Sequence, residues 1–458
     1  MLETFVDKYS GKRILVFGLA KSGTMTAKIL KQAGAQLLVY DQKSDTKEQR
    51  ELQDLGIQVV TGEPPLELLT AEFALMVKNP GIPYTNPLVK KALDLSIPIV
   101  SEVELAYELS KAPIIGITGS NGKTTTTTLI GEMLNQAGKR AVVAGNIGTV
   151  LIGEATTITE QEILVAELSS FQLKGTIDFR PHIAILLNVY HAHLDYHQGL
   201  ADYVHSKSKI FANQTGDDYA IFNYNCEMCV EMSRDVKAHC LYFSTTGRQG
   251  LNEGAYIENA AVYFIEAGQP IKIIELTETK IRGAHLENAL AAIIASKLVG
   301  ADNDSIREVL HTFKGVEHRI EFVLSTADNI AFYNDSKSTN TQATITALDS
   351  FSEPVILIAG GLDRGLGFAE LEEYFRRSVK ALITYGETAQ KLAETGKIAG
   401  VGTIRLADSL AEAVKQAVSI AVAGDTVLLS PAAASWDMFN SFEERGDLFK
   451  EIVRSYYN

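Results

Sequence analysis

The sequence predicts an α/β protein of three domains. These are a Rossmann-like N-terminal domain, a central P-loop-type ATPase domain with a parallel sheet plus a small β-rich part, and a Rossmann-like C-terminal domain. Three observations carry the prediction. The 458 residues are enough for about three domains. Apolar, β-like runs alternate with helical patterns through almost the whole chain, as in parallel sheets covered by helices. Several of those runs end in short turns of Gly, Ser, Asn and Asp, the place where α/β sheets carry ligands.

The first domain, residues 1–110, opens with the apolar run Arg13–Phe17 and the turn Gly18–Gly23 (GLAKSG). A helix ending near Gly34 and a strand Gln36–Tyr40, closed by Asp41, follow. The domain ends around Ile97–Val100, before the amphipathic stretch Ser101–Ser110. The second domain, residues 111–316, starts with strand Pro113–Thr118 and the loop ITGSNGKTT. Strands Arg140–Val143, Glu162–Ala166 and Pro181–Asn188 come next, then a helix Leu200–Asn213 and a β-rich stretch Asp218–Leu276. Helices Leu286–Leu298 and Asn303–Phe313 close it, and KGVEHR at 314–319 reads as a linker. In the third domain, residues 317–458, strands near Ile330–Tyr333, Val355–Ala359, Ala381–Thr384, Thr403–Leu406 and Thr426–Leu429 alternate with helices.

Composition narrows the function. Apolar residues make up 46% and charged residues 21%, an ordinary globular balance. No apolar run reaches the ~20 residues of a membrane span, and MLETFVDKYSGKR lacks the form of a secretory signal. The net charge of −14 argues against general nucleic-acid binding, which needs Lys and Arg against phosphate. Cys226, Cys229 and Cys240 read as reduced thiols, with zinc as the alternative for the CxxC beside His239. A cytoplasmic protein without membrane or nucleic-acid partners is expected.

The strongest motif is Ile117–Thr125. Gly119 and Gly122 let the backbone of Gly119, Ser120, Asn121, Gly122, Lys123, Thr124 and Thr125 fold tightly around an anion at a helix start. Lys123 can reach β- and γ-phosphates, and the Thr124 hydroxyl can hold Mg²⁺. The standard P-loop has Gly where Ile117 stands, so this is a shortened variant. A Gly-rich helix start is the plain alternative. Glu167, at the end of ILVAEL, stands where such enzymes keep a metal-binding carboxylate. In NVYHAHLDYH (188–197), His191, His193, Asp195 and His197 crowd one loop, and one of the histidines is expected to touch metal. Capping of the preceding strand is the alternative.

The N-terminal turn resembles GxGxxG through Gly18 and Gly23, with Ala20 in the middle position, Ser22 beside the last Gly and Asp41 at the next strand end. Ala20 hinders close approach of a pyrophosphate, which disfavours NAD and favours another nucleotide or a nucleotide-sugar. In the third domain NDSKSTN (334–340), GGLDRGLG (360–367) and SPAAAS (430–435) are polar or small-residue turns at strand ends. Helix capping alone would explain the first, although Lys337 within it suggests an anion contact.

Taken together, TGSNGKTT, Glu167, the 188–197 loop and NDSKSTN resemble the Mur ligases over nearly the whole chain. NDSKSTN, with support from SPAAASWDMFNSFEERG, resembles the D-glutamate-adding branch of that family. The resemblance implies ATP and two Mg²⁺ ions as cofactors, UDP-N-acetylmuramoyl-L-alanine and D-glutamate as substrates, and a monomer. It implies domains for the UDP-sugar, for ATP and for the amino acid, in that order. It also implies that the substrate carboxylate is phosphorylated by ATP and that the amine then attacks the acyl phosphate. By resemblance, Lys123 and Thr124 take phosphate and Mg²⁺, while Glu167, His193 and a carbamylated Lys207 hold metal. Asn288, Arg319 and Asp335 contact ATP, and Asn146 contacts the UDP-sugar. Lys337, Thr339, Ser435 and Phe442 line the D-glutamate side. From the residues alone Lys207 reads as a solvated helix charge. Ligases for other amino acids, folylpolyglutamate-type ligases and a P-loop NTPase switch remain the alternatives.

Overall fold

The computed structural model describes residues 2–44, 46–146, 149–190, 197, 199–279, 281–283, 285–313, 315–351, 353–365 and 367–457. The backbone carries three sheets. The first contains β1 (Arg13–Phe17), β2 (Gln36–Asp41), β3 (Gln58–Thr61), β4 (Phe73–Lys78) and β5 (Ile99–Val100), in the order β3-β2-β1-β4-β5. All its pairings are parallel. The second sheet has nine strands: β6 (Ile114–Thr118), β7 (Arg140–Gly145), β8 (Glu162–Glu167), β9 (Ile183–Leu186), β10 (Tyr219–Asn223), β11 (His239–Ser244), β12 (Gly254–Glu258), β13 (Ala261–Glu266) and β14 (Gln269–Glu275). Its order is β14-β13-β12-β11-β10-β9-β6-β8-β7, parallel from β7 to β12 and antiparallel beyond. The third has β15 (Glu321–Ser325), β16 (Ala331–Asn334), β17 (Val355–Gly360), β18 (Val379–Tyr385), β19 (Thr403–Leu406) and β20 (Thr426–Leu429), in the order β15-β16-β20-β17-β18-β19. The antiparallel edge strand β15 is the exception to its parallel pairing. The expected α/β class, with parallel sheets and a small antiparallel part in the middle, is therefore what the chain adopts.

The chain divides into two compact units, Met1–Glu278 with Glu287–His311, and Thr279–Leu286 with Thr312–Asn458. The first two sheets share the first unit, joined through the helix Glu102–Leu109. That stretch reads as amphipathic, yet Glu102 and Glu104 are both buried. Their carboxylates work as caps. Glu104 accepts from the N–H groups of Ile177 (2.8 Å), Asp178 (2.7 Å) and Phe179. Glu102 accepts from Ile152 N–H at 3.0 Å and from the Gln172 amide. Burial still dominates for Glu102 and pushes its carboxyl up to about 7.

Two elements are shorter than their sequence patterns suggest. The strand expected from Pro181 starts at Ile183, since proline has no N–H for the ladder. The helix from Leu200 ends at Ser208 instead of Asn213. Lys209 and Asn213 there donate side-chain hydrogen bonds to carbonyls of Lys174, Ile177 and Phe179, which holds the following residues in turns. In the stretch read as a linker, His318 is buried and Val316 forms a bridge with Arg319.

Candidate active site

In the second sheet, β6 lies between β8 and β9, and the chain leaves β6 first toward one side and later toward the other. Such a switch point opens a crevice at the carboxyl ends of the strands. The loop 119–122 follows β6, Glu167 ends β8 and Asn188 lies just beyond β9, so three adjacent strand ends supply the site.

The loop is built from special backbone conformations. Gly119 has φ +157 and Gly122 φ +84. A Cβ on Gly122 would sit 2.1 Å from Asn288 Oδ1 and one on Gly119 would sit 3.0 Å from Leu187, so both positions require glycine. Asn188 clamps the loop: its carbonyl accepts from Ser120 N–H at 3.0 Å and its Oδ1 from Asn121 N–H at 2.9 Å. Helix Lys123–Gln136 begins its ladder with Thr126 N–H donating to Gly122 at 3.0 Å. The first-turn N–H groups therefore face out of the helix start, where an anion is stabilised.

Two lysines converge on this loop. Lys123 Nζ donates to the carbonyls of Gly119 (2.8 Å) and Ser120 (3.0 Å). Lys207 Nζ, from helix Leu200–Ser208, donates to the same Gly119 carbonyl at 2.8 Å and lies 4.7 Å from the Tyr203 ring centre. Lys207 is only 1% exposed. Burial first, and the positive charge of Lys123 second, hold its ammonium well below the usual lysine range. Lys207 is thus a buried amine inclined to be neutral, and the reading as a solvated charge fails.

Glu167 is 2% exposed. Its Oε1 accepts from Asn146 Nδ2 at 3.0 Å, and Asn146 N–H donates to the Glu167 carbonyl at 3.0 Å. Its Oε2 is buried with no hydrogen-bond partner among the described residues. A buried carboxylate oxygen left without a donor fits a cation. His191, His193 and Asp195 lie outside the described residues. His197 has both ring nitrogens engaged, Nδ1 with Asp202 at 3.1 Å and Nε2 with Ser170 at 3.0 Å.

In the N-terminal sheet, Gly18 has φ +101, and a Cβ on Gly23 would meet the Gly18 carbonyl at 1.8 Å. Ala20 precedes helix Lys21–Gln32 and contributes no side-chain cap. Asp41 folds back over this turn, accepting from Leu19 N–H at 2.6 Å and Lys43 N–H at 2.8 Å, and Ser22 accepts from Asn79 at 3.4 Å.

The second unit gathers another set of candidates. Asp335, just after β16, is buried and accepts from the hydroxyls of Ser338 and Ser430 and from Ile320 N–H. Arg319 has a buried Nε without a hydrogen-bond partner among the described residues, a donor suited to a ligand. Lys337 Nζ lies 5.5 Å from the Phe442 ring centre, and Thr339 N–H donates to the Lys337 carbonyl at 2.9 Å. Ser435 is 2% exposed. Arg445, unmarked by any sequence signal, is fully buried and binds Ser336 and the carbonyls of Gly360 and Ala433. Two more participants escape the sequence reading. Asn188 shows only its place at a strand end. Tyr203 bonds Ser120 Oγ at 2.9 Å and could have been found from its i,i+4 relation to Lys207.

Burial raises the Asp335 carboxyl from 3.8 to about 6. Below about pH 4 it is protonated whether the chain is folded or not. As pH rises from about 4 to 6 the folded state keeps a proton that the unfolded state loses, so stability falls, by ~3 kcal/mol in all, and levels off above pH 6. Asp335→Asn is expected to remove that fall. Urea midpoints of parent and variant at pH 4.5 and pH 7 measure it, and parallel pH dependences would contradict it.

The arrangement defines an ATP-dependent carboxylate-activating enzyme, and the chain belongs to the Mur ligase family. The Mur ligase MurD-like N-terminal domain matches residues 12–101, the Mur ligase middle domain 117–296, and the Mur ligase glutamate ligase domain 318–433. Its sequence is 50% identical over 445 residues to the UDP-N-acetylmuramoylalanine–D-glutamate ligase of Geobacillus sp. (strain WCH70), covering 96% of this chain and 97% of that one. It is 49% identical over 451 residues to the enzyme of that name from Bacillus cereus (strain G9842), with 98% of each covered. Among solved structures, the UDP-N-acetylmuramate–alanine ligase MurC of Thermotoga maritima shares the fold at TM-score 0.57 and 19% identity, over 97% of this chain and 99% of that one. MurF of Acinetobacter baumannii does so at TM-score 0.57 and 14% identity, over 97% and 91%. No helix among the described residues is long and apolar enough to cross a membrane.

Proposed function

We infer that this chain joins D-glutamate to UDP-N-acetylmuramoyl-L-alanine at the expense of ATP, in peptidoglycan precursor synthesis. The observation that carries the chemistry is the partnerless, buried Glu167 oxygen at the strand end beside the Gly119–Thr125 loop. The half-identity to named D-glutamate ligases supports the choice of substrates. A carboxylate is a poor electrophile. One of its oxygens attacks the γ-phosphorus of ATP, ADP leaves, and an acyl phosphate forms. The amine then adds to the acyl carbon, and the tetrahedral intermediate expels phosphate as the amide forms and the amine proton is lost.

The loop's N–H groups and Lys123 bind the phosphates and offset charge as the phosphoryl group moves. Thr124, Glu167, His193 and a carbamylated Lys207 would hold two Mg²⁺ ions. When bound, these would neutralise charge on the transferring group. Asn288, Arg319 and Asp335 serve ATP. Gly18, Ala20, Ser22, Gly23, Asp41 and Asn146 serve the UDP-sugar, and Lys337, Thr339, Ser435 and Phe442 serve D-glutamate. In this reading residues 1–110 bind the UDP-sugar, 111–316 bind ATP and 317–458 bind the amino acid. The enzyme works as a cytoplasmic monomer, since its expected substrates are small and water-soluble.

ADP release, measured with and without each substrate, tests the proposal. Strict dependence on both UDP-N-acetylmuramoyl-L-alanine and D-glutamate is expected, with other amino acids inactive. Turnover without an amino-acid acceptor would point to an NTPase switch instead, and preference for another amino acid would point to a different ligase.

A further inference from the structure

The CxxC at Cys226–Cys229 lies outside the residues assigned above, yet it is bonded to the loop that clamps the phosphate site. β10 runs into a short turn, Cys226 caps helix Glu227–Ser233, and the chain returns in β11, parallel to β10. A CxxC at such a strand-to-helix turn places both sulfurs on adjacent positions of one helical turn. Here the two thiols are hydrogen-bonded to each other. Cys226 is half-buried and reachable, whereas Cys229 is fully buried. The Cys226 sulfur also accepts from backbone N–H groups, among them that of Val189. All three cysteines are free thiols.

Val189 is the pivot. On one side of it Asn188 holds Ser120 and Asn121 at 3.0 and 2.9 Å, and on the other Tyr190 N–H donates to Ser120 Oγ at 2.9 Å. The sulfur that anchors Val189 therefore anchors the segment that shapes the phosphate loop. A disulfide sulfur carries no charge and accepts hydrogen bonds weakly, so oxidation would weaken that anchor.

We propose that Cys226 and Cys229 form a reversible disulfide by exchange with a small-molecule disulfide, and that its closure weakens nucleotide binding. The Cys226 thiolate attacks one sulfur of the small disulfide and expels a thiolate. The Cys229 sulfur gives up its proton, attacks the Cys226 sulfur and expels the second thiolate. Two protein thiols are oxidised and one small disulfide is reduced to two thiols. The Cys229 thiol, donating to the Cys226 sulfur, holds that sulfur toward its thiolate form, at about 6, which suits it as the attacking group. The effect on nucleotide binding rests on reading 119–125 as the phosphate loop.

The test uses the full chain treated with oxidised glutathione, its peptides mapped by mass spectrometry, and Mg·ADP affinity measured before and after. Expected are a Cys226–Cys229 linkage and about three- to tenfold weaker ADP binding, the scale of one charge-assisted hydrogen bond. Dithiothreitol should restore the affinity. Cys226→Ser should be indifferent to the oxidant, and Cys240→Ser should respond as the parent does. Mixed disulfides with glutathione that never close, or a closed disulfide with unchanged ADP affinity, would overturn the proposal. If the reduced chain bound no ADP, the phosphate-loop reading would fail, and the linkage map would still decide whether the disulfide forms.

Discussion

Lys123→Ala is expected to lower ligase turnover by ~10³-fold, the scale seen when a preorganised charge that faces a transition state is removed. The reason lies in the loop. Lys123 rests on the carbonyls of Gly119 and Ser120, so its ammonium already stands where the phosphates would lie. Its work grows as the γ-phosphoryl leaves and charge builds on the ADP oxygens, and the loss should therefore fall on kcat. The UDP-sugar, assigned to a different sheet, should bind the variant as before. Two measurements separate these claims: ADP release in a steady-state assay, and UDP-sugar affinity by calorimetry. Turnover within tenfold of the parent would remove Lys123 from the chemistry. Lys123→Arg is expected to be nearly as poor, because the longer, planar group cannot occupy the same space against the loop.

The parts of this site that were legible in the sequence are those fixed by local rules. A strand, a Gly-bearing turn and a helix start specify 114–136, and the needs of Gly119 and Gly122 are written in the backbone. Glu167 was legible because an apolar run ending in a carboxylate has few other uses. Residues whose partners are distant in the chain were hidden. Glu102 and Glu104 look like ordinary helix-surface acids, but their acceptor oxygens serve N–H groups about fifty and seventy-five residues on, a pairing no local pattern encodes. Arg445 sits in a helix beginning FEERGDLF and reads as a surface charge. Its burial is offset by carbonyls at Gly360 and Ala433, which only the folded third sheet brings to it. Zinc and plain reduced thiols were the two readings of the CxxC. What neither anticipates is its bond to Val189, a contact that spans the sheet.

Lys207 is the sharpest case of such concealment, and the second large effect is expected there. In YVHSKSKIF nothing distinguishes Lys207 from Lys209, and one turn of helix decides between them. Lys207 points at Gly119, shares that carbonyl with Lys123, and cannot comfortably keep its proton. A neutral buried amine is the form that adds to CO₂: the nitrogen bonds the carbon, a proton is released, and a carbamate replaces the amine. The site then gains a negative group beside Glu167's open oxygen, and the two cationic neighbours become an attracted pair. Lys207→Ala is expected to lose ~10²-fold or more in turnover, since a deleted metal-holding group removes several kcal/mol of charge stabilisation. Acetate or formate at high concentration should restore part of it by supplying the missing carboxylate. Lys207→Arg should be as inactive as Lys207→Ala, because a guanidinium forms no carbamate. Carbon-13 NMR with labelled bicarbonate should show a carbamate signal in the parent and none in either variant. If Lys207→Arg retained most of the activity, the residue would be acting as a cation toward phosphate, and the carbamate would have to be abandoned.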